Sequence, residues 1–342
     1  MYKNILLIKM SSMGDIVQTL PSVYALRKNF PAARITWIVH PQFGDFIPPA
    51  YVDEVIYFDK AQFMKAGWLE KWRTFFALRK KLVACKFDLV IDMQGLLKSA
   101  IVALMTGCKN RIGFCDMREG SYWVSKPIVG PNSEGHVVQR YLDVVRSLGV
   151  EADEIHFPLP DFGAEEASLA VKMAEAQVPE HYVVVAPGGR WESKVWPVEY
   201  FAELTKRLVA NGENVVLAGD KGDIEKGEQI IKIAGGSKVY NLIAKTSLKE
   251  MIVLIRKCKL LFGVDTGPMH FAAALNKPIV CMFGPSTTKR SGPYGSDNQV
   301  SIQSPVPCAG CRKKQRCDHW NCMHLITPDM VYDAYKTVVS RM

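Results

Sequence analysis

The chain alternates short runs of aliphatic and β-branched residues with longer stretches in which apolar positions recur at helical spacing. In the first half these runs predict strands at residues 4–9, 34–39, 54–58 and 87–92. Near-continuous apolar strands separated by helices are typical of a parallel sheet that is covered on both faces. The first half therefore predicts an α/β domain.

The same alternation begins again after a polar stretch at residues 150–164. It predicts strands at 182–186, 214–218, 260–264 and 278–283, and helices at 198–210, 223–234 and 248–257. The length of 342 residues also favours two domains. We expect two doubly wound α/β domains, residues 1–160 and 161–325, and a C-terminal helix within 326–342 that packs back on the first domain.

The charge of the chain is unevenly distributed. It has 43 Lys and Arg against 34 Asp and Glu, a net charge of +9, and residues 1–150 hold 20 of the basic and 12 of the acidic residues. Nearly all the positive excess thus lies in the first half. This indicates that the first half meets an anionic partner.

The N-terminal apolar run is too short for a secretory signal and is typical of a buried strand. No stretch approaches the roughly 18 apolar residues that a membrane-spanning helix needs. We therefore expect a cytoplasmic protein whose nine cysteines are mostly reduced.

The loop after the first strand carries a carboxylate, Asp15, with two hydroxyls and a glycine beside it, and it lacks the spaced glycines of a dinucleotide fingerprint. Two interpretations of Asp15 stand side by side. It caps the helix that follows, because Asp is favoured at helix N-termini. Alternatively it is a general base that accepts a proton from a substrate hydroxyl.

Two loops of the second half suit a phosphorylated sugar. Thr266 and Gly267 open a predicted helix, whose N-terminus attracts phosphate, and Asp265 can accept hydrogen bonds from sugar hydroxyls. Lys194 lies in another loop after a strand and offers a point charge. The alternatives are helix capping by Asp265 or Thr266, a packing role for His270 and a solvated Lys194. No two aspartates are separated by a single residue, so the D-x-D element of metal-dependent sugar transferases is absent.

Four segments together resemble the lipopolysaccharide heptosyltransferases of glycosyltransferase family 9: S-S-M-G-D-I-V-Q-T-L-P at 11–21, I-D-M-Q-G-L-L-K-S-A at 91–100, K-V-W-P at 194–197 and D-T-G-P-M-H at 265–270. The first two resemble heptosyltransferase I more than heptosyltransferase II. The resemblance implies an α/β fold of GT-B architecture, with two Rossmann-like domains facing a central cleft. It also implies inverting, metal-independent transfer of heptose from ADP-L-glycero-D-manno-heptose to Kdo-lipid A, without a cofactor.

The resemblance assigns roles to individual residues, with Asp15 as the catalytic base. The implied donor-binding residues are Ser11, Ser12, Gly14, Gly188, Gly189, Lys194, Asp265, Thr266, Gly267 and His270. The implied acceptor-binding residues are Lys98, Arg118 and Arg140, although Gly120 stands where the family has Pro after the Arg-Glu pair. The membrane-embedded acceptor implies peripheral association with the cytoplasmic face of the inner membrane of a Gram-negative bacterium, through the first half.

The segment 67–83 combines apolar residues at helical spacing with a basic remainder. This pattern predicts a helix with a core-facing stripe and a solvated basic face. A basic amphipathic helix on an anionic membrane surface is the alternative, and the two are compatible.

Cys308, Cys311, Cys317 and Cys322 place four thiols around the basic run 312–316. Their number suits a zinc site but their spacing does not, so reduced thiols or a disulfide formed on isolation are rival interpretations. A nucleic-acid-binding module is disfavoured, because Trp320 is the sole aromatic residue beside the cysteines. A nucleotide-sugar epimerase of the same architecture is a further alternative, but it has no need for a basic acceptor half.

Overall fold

The computed structural model describes residues 2–311, 317 and 321–342. The chain forms two compact units that divide between Pro160 and Asp161. Each unit is built on a six-stranded parallel sheet with helices, so the expected α/β class with two doubly wound domains is confirmed.

The sheet of the first unit has the strand order β3-β2-β1-β4-β5-β6. Its strands are β1 (Asn4–Ile8), β2 (Arg34–Val39), β3 (Glu54–Tyr57), β4 (Leu89–Asp92), β5 (Arg111–Phe114) and β6 (Lys126–Ile128). Its helices are α1 (Met13–Asn29), α2 (Lys60–Lys65), α3 (Trp68–Ala84), α4 (Leu97–Met105) and α5 (Val137–Arg146), with 3-10 turns at Pro41–Phe46 and Ser121–Trp123.

The second unit has the order β12-β11-β10-β7-β8-β9. Its strands are β7 (Val183–Ala186), β8 (Val215–Leu217), β9 (Val239–Asn241), β10 (Leu261–Val264), β11 (Ile279–Phe283) and β12 (Gln299–Gln303). Its helices are α6 (Gly163–Glu175), α7 (Val198–Ala210), α8 (Ile224–Ala234), α9 (Leu248–Lys257), α10 (Gly267–Ala274), α11 (Thr288–Ser291), α12 (Asn321–His324) and α13 (Pro328–Val339), with 3-10 turns at Glu192–Lys194 and Lys221–Asp223.

The two sheets share one topology. The first strand of each unit lies in the middle: β1 pairs with β2 and β4, and β7 pairs with β8 and β10. The strand order reverses at β1/β4 and at β7/β10. Ligands of doubly wound sheets bind beyond the carboxyl ends of the strands at such reversal points. The loops that follow β1, β4, β7 and β10 are therefore the places to look for chemistry.

The central strands form the core of each unit. Ile5 to Ile8 of β1 and Val183 to Val185 of β7 are fully buried. Full burial of such a side chain contributes about 1.5–3 kcal/mol, so these strands hold the loops at their ends in fixed positions.

The terminal helix differs from our prediction. We expected it to pack back on the first domain, but α13 packs on α7, β11 and β12 of the second unit. Val331, Tyr335 and Val338 lie in the core of that unit, and Asn211 donates a hydrogen bond to the Tyr335 hydroxyl. The apolar face of the helix is used to complete the second core.

Helix α3 follows its prediction only in part. Leu82 is buried in the core of the first unit and Phe75 packs against it, as expected of the core-facing stripe. Trp68, Trp72 and Phe76 of the same stripe are exposed instead. Among the described residues, no helix is both long enough and apolar enough to span a bilayer.

Candidate functional site

Asp15 lies in the first turn of α1, directly beyond β1. The helix begins after Ser12, and the Asp15 Oδ2 atom accepts hydrogen bonds from the Ser12 amide at 2.9 Å and the Ser12 hydroxyl at 2.6 Å. Ser12, not Asp15, is therefore the N-cap residue, and Asp15 supports the helix start from the third position of the helix. Its other oxygen faces a different partner.

That partner is Lys9, the residue after β1. Its Nζ atom lies 3.4 Å from Asp15 Oδ1, and it donates to the Tyr141 hydroxyl at 2.6 Å and to the Met93 carbonyl at 3.0 Å. The Lys9 side chain is 3% exposed, whereas that of Asp15 is 38% exposed. A buried ammonium group therefore stands behind a carboxylate that solvent, or a substrate, can reach.

The electrostatics fix the charge states of this pair. Burial raises the pKa of Asp15, but the Lys9 charge and the Ser12 hydrogen bonds outweigh it, so the net shift is downward. Burial likewise lowers the pKa of Lys9, and Asp15 and Tyr141 reverse this to a net rise. Asp15 is ionised at neutral pH and can accept a proton.

The loop after β4 meets the loop after β1. The Gln94 side-chain oxygen accepts hydrogen bonds from the amides of Met10 and Ser11, and Lys98 donates to the Ser11 hydroxyl at 3.1 Å. Burial, together with the charges of Lys60 and Lys9, lowers the pKa of Lys98. The structure therefore brings Ser11, Ser12, Asp15 and Lys98 to one edge of the first sheet, and Gly14 lies buried among them in α1.

The two arginines expected to bind acceptor differ in position. Arg118 is exposed in the loop after β5, where its amide donates to the Gly95 carbonyl, which places it near the start of α4. Arg140 is 6% exposed, and its Nε atom donates to the carbonyl of Gly135 at 2.9 Å. The geometry thus leaves Arg118 available to a ligand and gives Arg140 a structural role in the turn before α5.

In the second unit, Lys194 from the loop after β7 meets Asp265 from the loop after β10. The Lys194 Nζ atom lies 2.5 Å from Asp265 Oδ2 and 4.5 Å from the centre of the Trp191 ring. The His270 Nε2 atom lies 3.6 Å from Asp265 Oδ1. Both oxygens of a carboxylate that is 6% exposed therefore face protein groups, so Asp265 orients Lys194 and His270.

Burial alone would raise the pKa of Asp265, but His270 and Lys194 together hold it far below its usual range. Thr266 precedes α10, and its hydroxyl donates to the Val264 carbonyl at 3.1 Å without capping the helix. Of the first three residues of α10, Gly267 has an amide that can face a ligand, whereas Pro268 has no N–H and the Met269 amide donates to the Thr266 carbonyl at 3.1 Å. An uncapped N-terminus next to an ammonium group suits a phosphate.

The two glycines after β7 have different surroundings. A side chain at Gly188 would overlap the Asp223 carboxylate, which is buried and paired with Lys226 at 2.8 Å. Gly189 has only ordinary contact distances, with Thr266, Val264 and Val195 as its neighbours. Packing against Asp223 therefore explains why residue 188 is a glycine, without a role for a ligand.

The four clustered cysteines are free thiols, with Cys308 and Cys311 exposed. In the part of the chain that the structure describes, no group of three or more His, Cys, Asp or Glu side chains is arranged to hold a metal ion. The zinc interpretation thus gains no support from the geometry. The basic run 312–316 and Trp320 lie outside the described residues.

Sequence reasoning missed Lys9, Gln94 and Tyr141. Lys9 directly follows an apolar strand, and a lysine at the end of such a strand could have been recognised in the sequence as a candidate site residue. Tyr141 is 132 positions from Lys9, and only the packing of α5 against α1 brings the two together.

Comparison with known proteins places the chain among characterised enzymes. Residues 75–320 match the model of glycosyltransferase family 9 (heptosyltransferase). The lipopolysaccharide heptosyltransferase 1 of Pseudomonas aeruginosa is 31% identical over 324 residues, which are 91% of this chain and 86% of that one. The lipopolysaccharide heptosyltransferase 3 of Escherichia coli is 29% identical over 275 residues, 79% of this chain and 80% of that one. The solved structure of E. coli heptosyltransferase WaaC with ADP has a TM-score of 0.74 at 26% identity, covering 98% of this chain and 99% of that one.

Proposed function

This chain belongs to glycosyltransferase family 9, the heptosyltransferases, and from that membership we propose that it transfers L-glycero-D-manno-heptose from ADP-heptose to Kdo-lipid A. The lipopolysaccharide heptosyltransferase 1 enzymes of P. aeruginosa and of E. coli, which match 91% and 88% of the chain, support a heptosyltransferase 1 reaction. The E. coli structure that holds ADP supports the nucleotide of the donor.

The observation that carries the proposal is the pair of Asp15 and Lys9. An ionised carboxylate that is 38% exposed, at the strand-order reversal of the first sheet, is suited to take a proton from a bound hydroxyl. In the proposed step Asp15 accepts the proton of the acceptor hydroxyl. The hydroxyl oxygen forms a bond to the anomeric carbon, the bond from that carbon to the diphosphate breaks, and the configuration inverts.

The leaving ADP carries the electron pair of the broken bond and needs positive charge beside it. Lys194 and the N-terminal end of α10 at Gly267 supply that charge, and Asp265 holds Lys194 in place through its 2.5 Å contact. Fixed donors of this kind act where a divalent ion acts in D-x-D transferases. We therefore propose an inverting reaction that does not depend on a bound metal.

Lys98 and Arg118 are the proposed contacts to the acidic groups of the acceptor. Both lie at the edge of the first sheet that carries Asp15: Lys98 contacts Ser11, and Arg118 follows β5. Because this acceptor is anchored in a bilayer, we further propose that the enzyme works in the cytoplasm, at the inner membrane, and contacts it through the first unit.

A donor screen tests the proposal. ADP-heptose with Kdo-lipid A should yield ADP and a heptosylated lipid, while GDP- and UDP-sugars should yield little product. Transfer only to a core that already carries heptose would favour a heptosyltransferase 2 or 3 reaction, for which relatives also exist. Conversion of the nucleotide sugar without any acceptor would indicate an epimerase and contradict the proposal.

A further inference from the structure

Helix α3 turns aromatic side chains toward solvent. Trp68, Trp72 and Phe76 are 69%, 48% and 55% exposed, and their spacing of four residues puts them on one face of the helix. The Trp72 and Phe76 rings stack at 5.5 Å, and the Trp68 and Trp72 rings lie 5.9 Å apart. The rings contact one another on the outside of the unit, so this face is not part of the core.

Exposed apolar side chains also lie on α4, which packs against α3. Leu97, Ile101 and Leu104 are 54%, 44% and 52% exposed, and they too share one helix face. Helix α4 also contacts the 3-10 turn Ser121–Trp123, whose Trp123 is 82% exposed. We call these exposed positions on α3, α4 and the turn the aromatic face. An apolar surface that spans three elements marks an interaction site.

The aromatic face lies in a strongly basic part of the first unit. Residues 60–129 contain 13 Lys and Arg but 5 Asp and Glu, an excess that equals that of the whole first half. Arg73 and Lys80 are exposed on α3 beside the aromatic residues. Tryptophan with flanking Lys and Arg is the composition of surfaces that sit at the membrane–water interface.

We propose that the aromatic face docks on an anionic phospholipid bilayer, with its rings at the headgroup level and its basic residues on the lipid phosphates. A second copy of this chain fits less well, because two surfaces of equal positive charge would repel each other. The proposal rests on the proposed function, in which the acceptor is a membrane lipid, and it names the surface through which the enzyme reaches that lipid.

Flotation with vesicles that contain no acceptor tests the aromatic face directly. The full chain should float with vesicles of phosphatidylcholine and phosphatidylglycerol (7:3) and bind pure phosphatidylcholine vesicles weakly. The triple variant Trp68→Gln, Trp72→Gln, Phe76→Gln should lose about 100-fold in partition coefficient, because three partly inserted rings are removed. Arg73→Gln with Lys80→Gln should weaken binding to the anionic vesicles alone.

A matched control comes from the second unit, where Val171 and Ile233 are 59% and 51% exposed outside the aromatic face. Val171→Gln with Ile233→Gln should bind vesicles as the unaltered chain does. Circular dichroism and thermal unfolding establish that each variant is folded, and quenching of Trp fluorescence by brominated lipids reports insertion in the unaltered chain.

Three outcomes would overturn the proposal. The first is vesicle binding by the triple variant equal to that of the unaltered chain, and the second is no vesicle binding by the unaltered chain. The third is sedimentation of the unaltered chain as a dimer and of the triple variant as a monomer. Heptosyl transfer to a detergent-dispersed acceptor separates this proposal from the function, because the triple variant should retain it. A chain that binds vesicles but transfers nothing would leave the aromatic face standing and refute the proposed function.

Discussion

The two units repeat one strand order, and each places a lysine–aspartate pair where that order reverses. In the first unit Lys9 follows β1, Asp15 lies in the first turn of α1, and Asp15 is 38% exposed. In the second unit Lys194 and Asp265 come from the loops after β7 and β10, and Asp265 is 6% exposed. The lysine is buried in the first pair, and the carboxylate is the more buried group in the second.

This difference in exposure separates the roles of two similar ion pairs. Asp15 has the Ser12 donors on one oxygen and Lys9 on the other, yet it remains accessible, so a bound hydroxyl can hand it a proton. Asp265 is enclosed between Lys194 and His270, and it can only hold them in place. In the proposed function, access to solvent, more than the identity of the pair, therefore decides which carboxylate accepts the proton.

The sharpest test of this comparison is Asp15→Asn. The amide keeps the shape of the side chain but cannot accept the proton, so kcat should fall by about 10²–10⁴-fold. ADP affinity, measured by calorimetry, should stay nearly unchanged, because the proposed phosphate contacts lie in the second unit.

Glu151→Gln, which neutralises an exposed carboxylate elsewhere in the first unit, is the control and should retain the full rate. Full activity of Asp15→Asn would remove Asp15 from the role of base and end the comparison between the two pairs.

The sequence pattern anticipated eight of the twelve strands. The predicted strands match β1 to β4, β7, β8, β10 and β11 to within two residues at each end, and these include the half-buried edge strand β3. The pattern missed β5, β6, β9 and β12, which are three to five residues long and, apart from β5, mostly half-buried. Such segments form strands because they pair with a neighbouring strand, and this pairing has little effect on the amino-acid composition of the segment.

The site was anticipated to the extent that its residues follow predicted strands. Lys194 and Asp265 lie in such loops, Asp15 lies in the helical turn that follows one, and the structure places all three at the two reversal points. It could not be anticipated that Lys9 neutralises Asp15, or that Asp265 faces inward, because both depend on side-chain direction. The periodicity of α3 located its apolar stripe, but nothing in the sequence told whether protein would cover it.

Lys194→Ala should affect both stability and donor binding. The variant leaves the buried Asp265 carboxylate without its nearest cation, and breaking a buried pair in this way costs about 3–5 kcal/mol in free energy of unfolding. ADP affinity should fall as well, because Lys194 is the proposed phosphate contact. Urea unfolding and calorimetry with ADP measure the two effects.

Lys245→Ala removes an exposed lysine of the same unit and should change neither quantity. If Lys194→Ala had the same stability and ADP affinity as this control, the contact between Lys194 and Asp265 would contribute no more than a surface ion pair does.

Lys9→Met should shift the pH dependence of kcat/KM. It should lower the free energy of unfolding by less than Lys194→Ala does, because the Asp15 carboxylate that loses its cation is exposed. Lys9 and Ser12 hold the pKa of Asp15 below its ordinary value, so the base form persists as pH falls and is lost only below that value. Removal of an opposite charge at this distance raises a carboxyl pKa by about 1–3 units. The acid limb of kcat/KM should therefore move to higher pH by that amount, with the rate at pH 8 largely retained.

Two further variants test whether Lys9 acts through the pKa of Asp15. Ser12→Ala removes a hydrogen bond to Asp15 and should shift the limb in the same direction by less, whereas Lys3→Met, at the amino end of the same strand, should not shift it. A purely structural Lys9 would lower the rate equally at every pH and leave the limb in place. Because the proposed proton transfer does not involve Asp265 or Lys194, only the first pair should respond in this way. A shifted limb in Lys194→Ala would contradict the proposed division of roles between the two units.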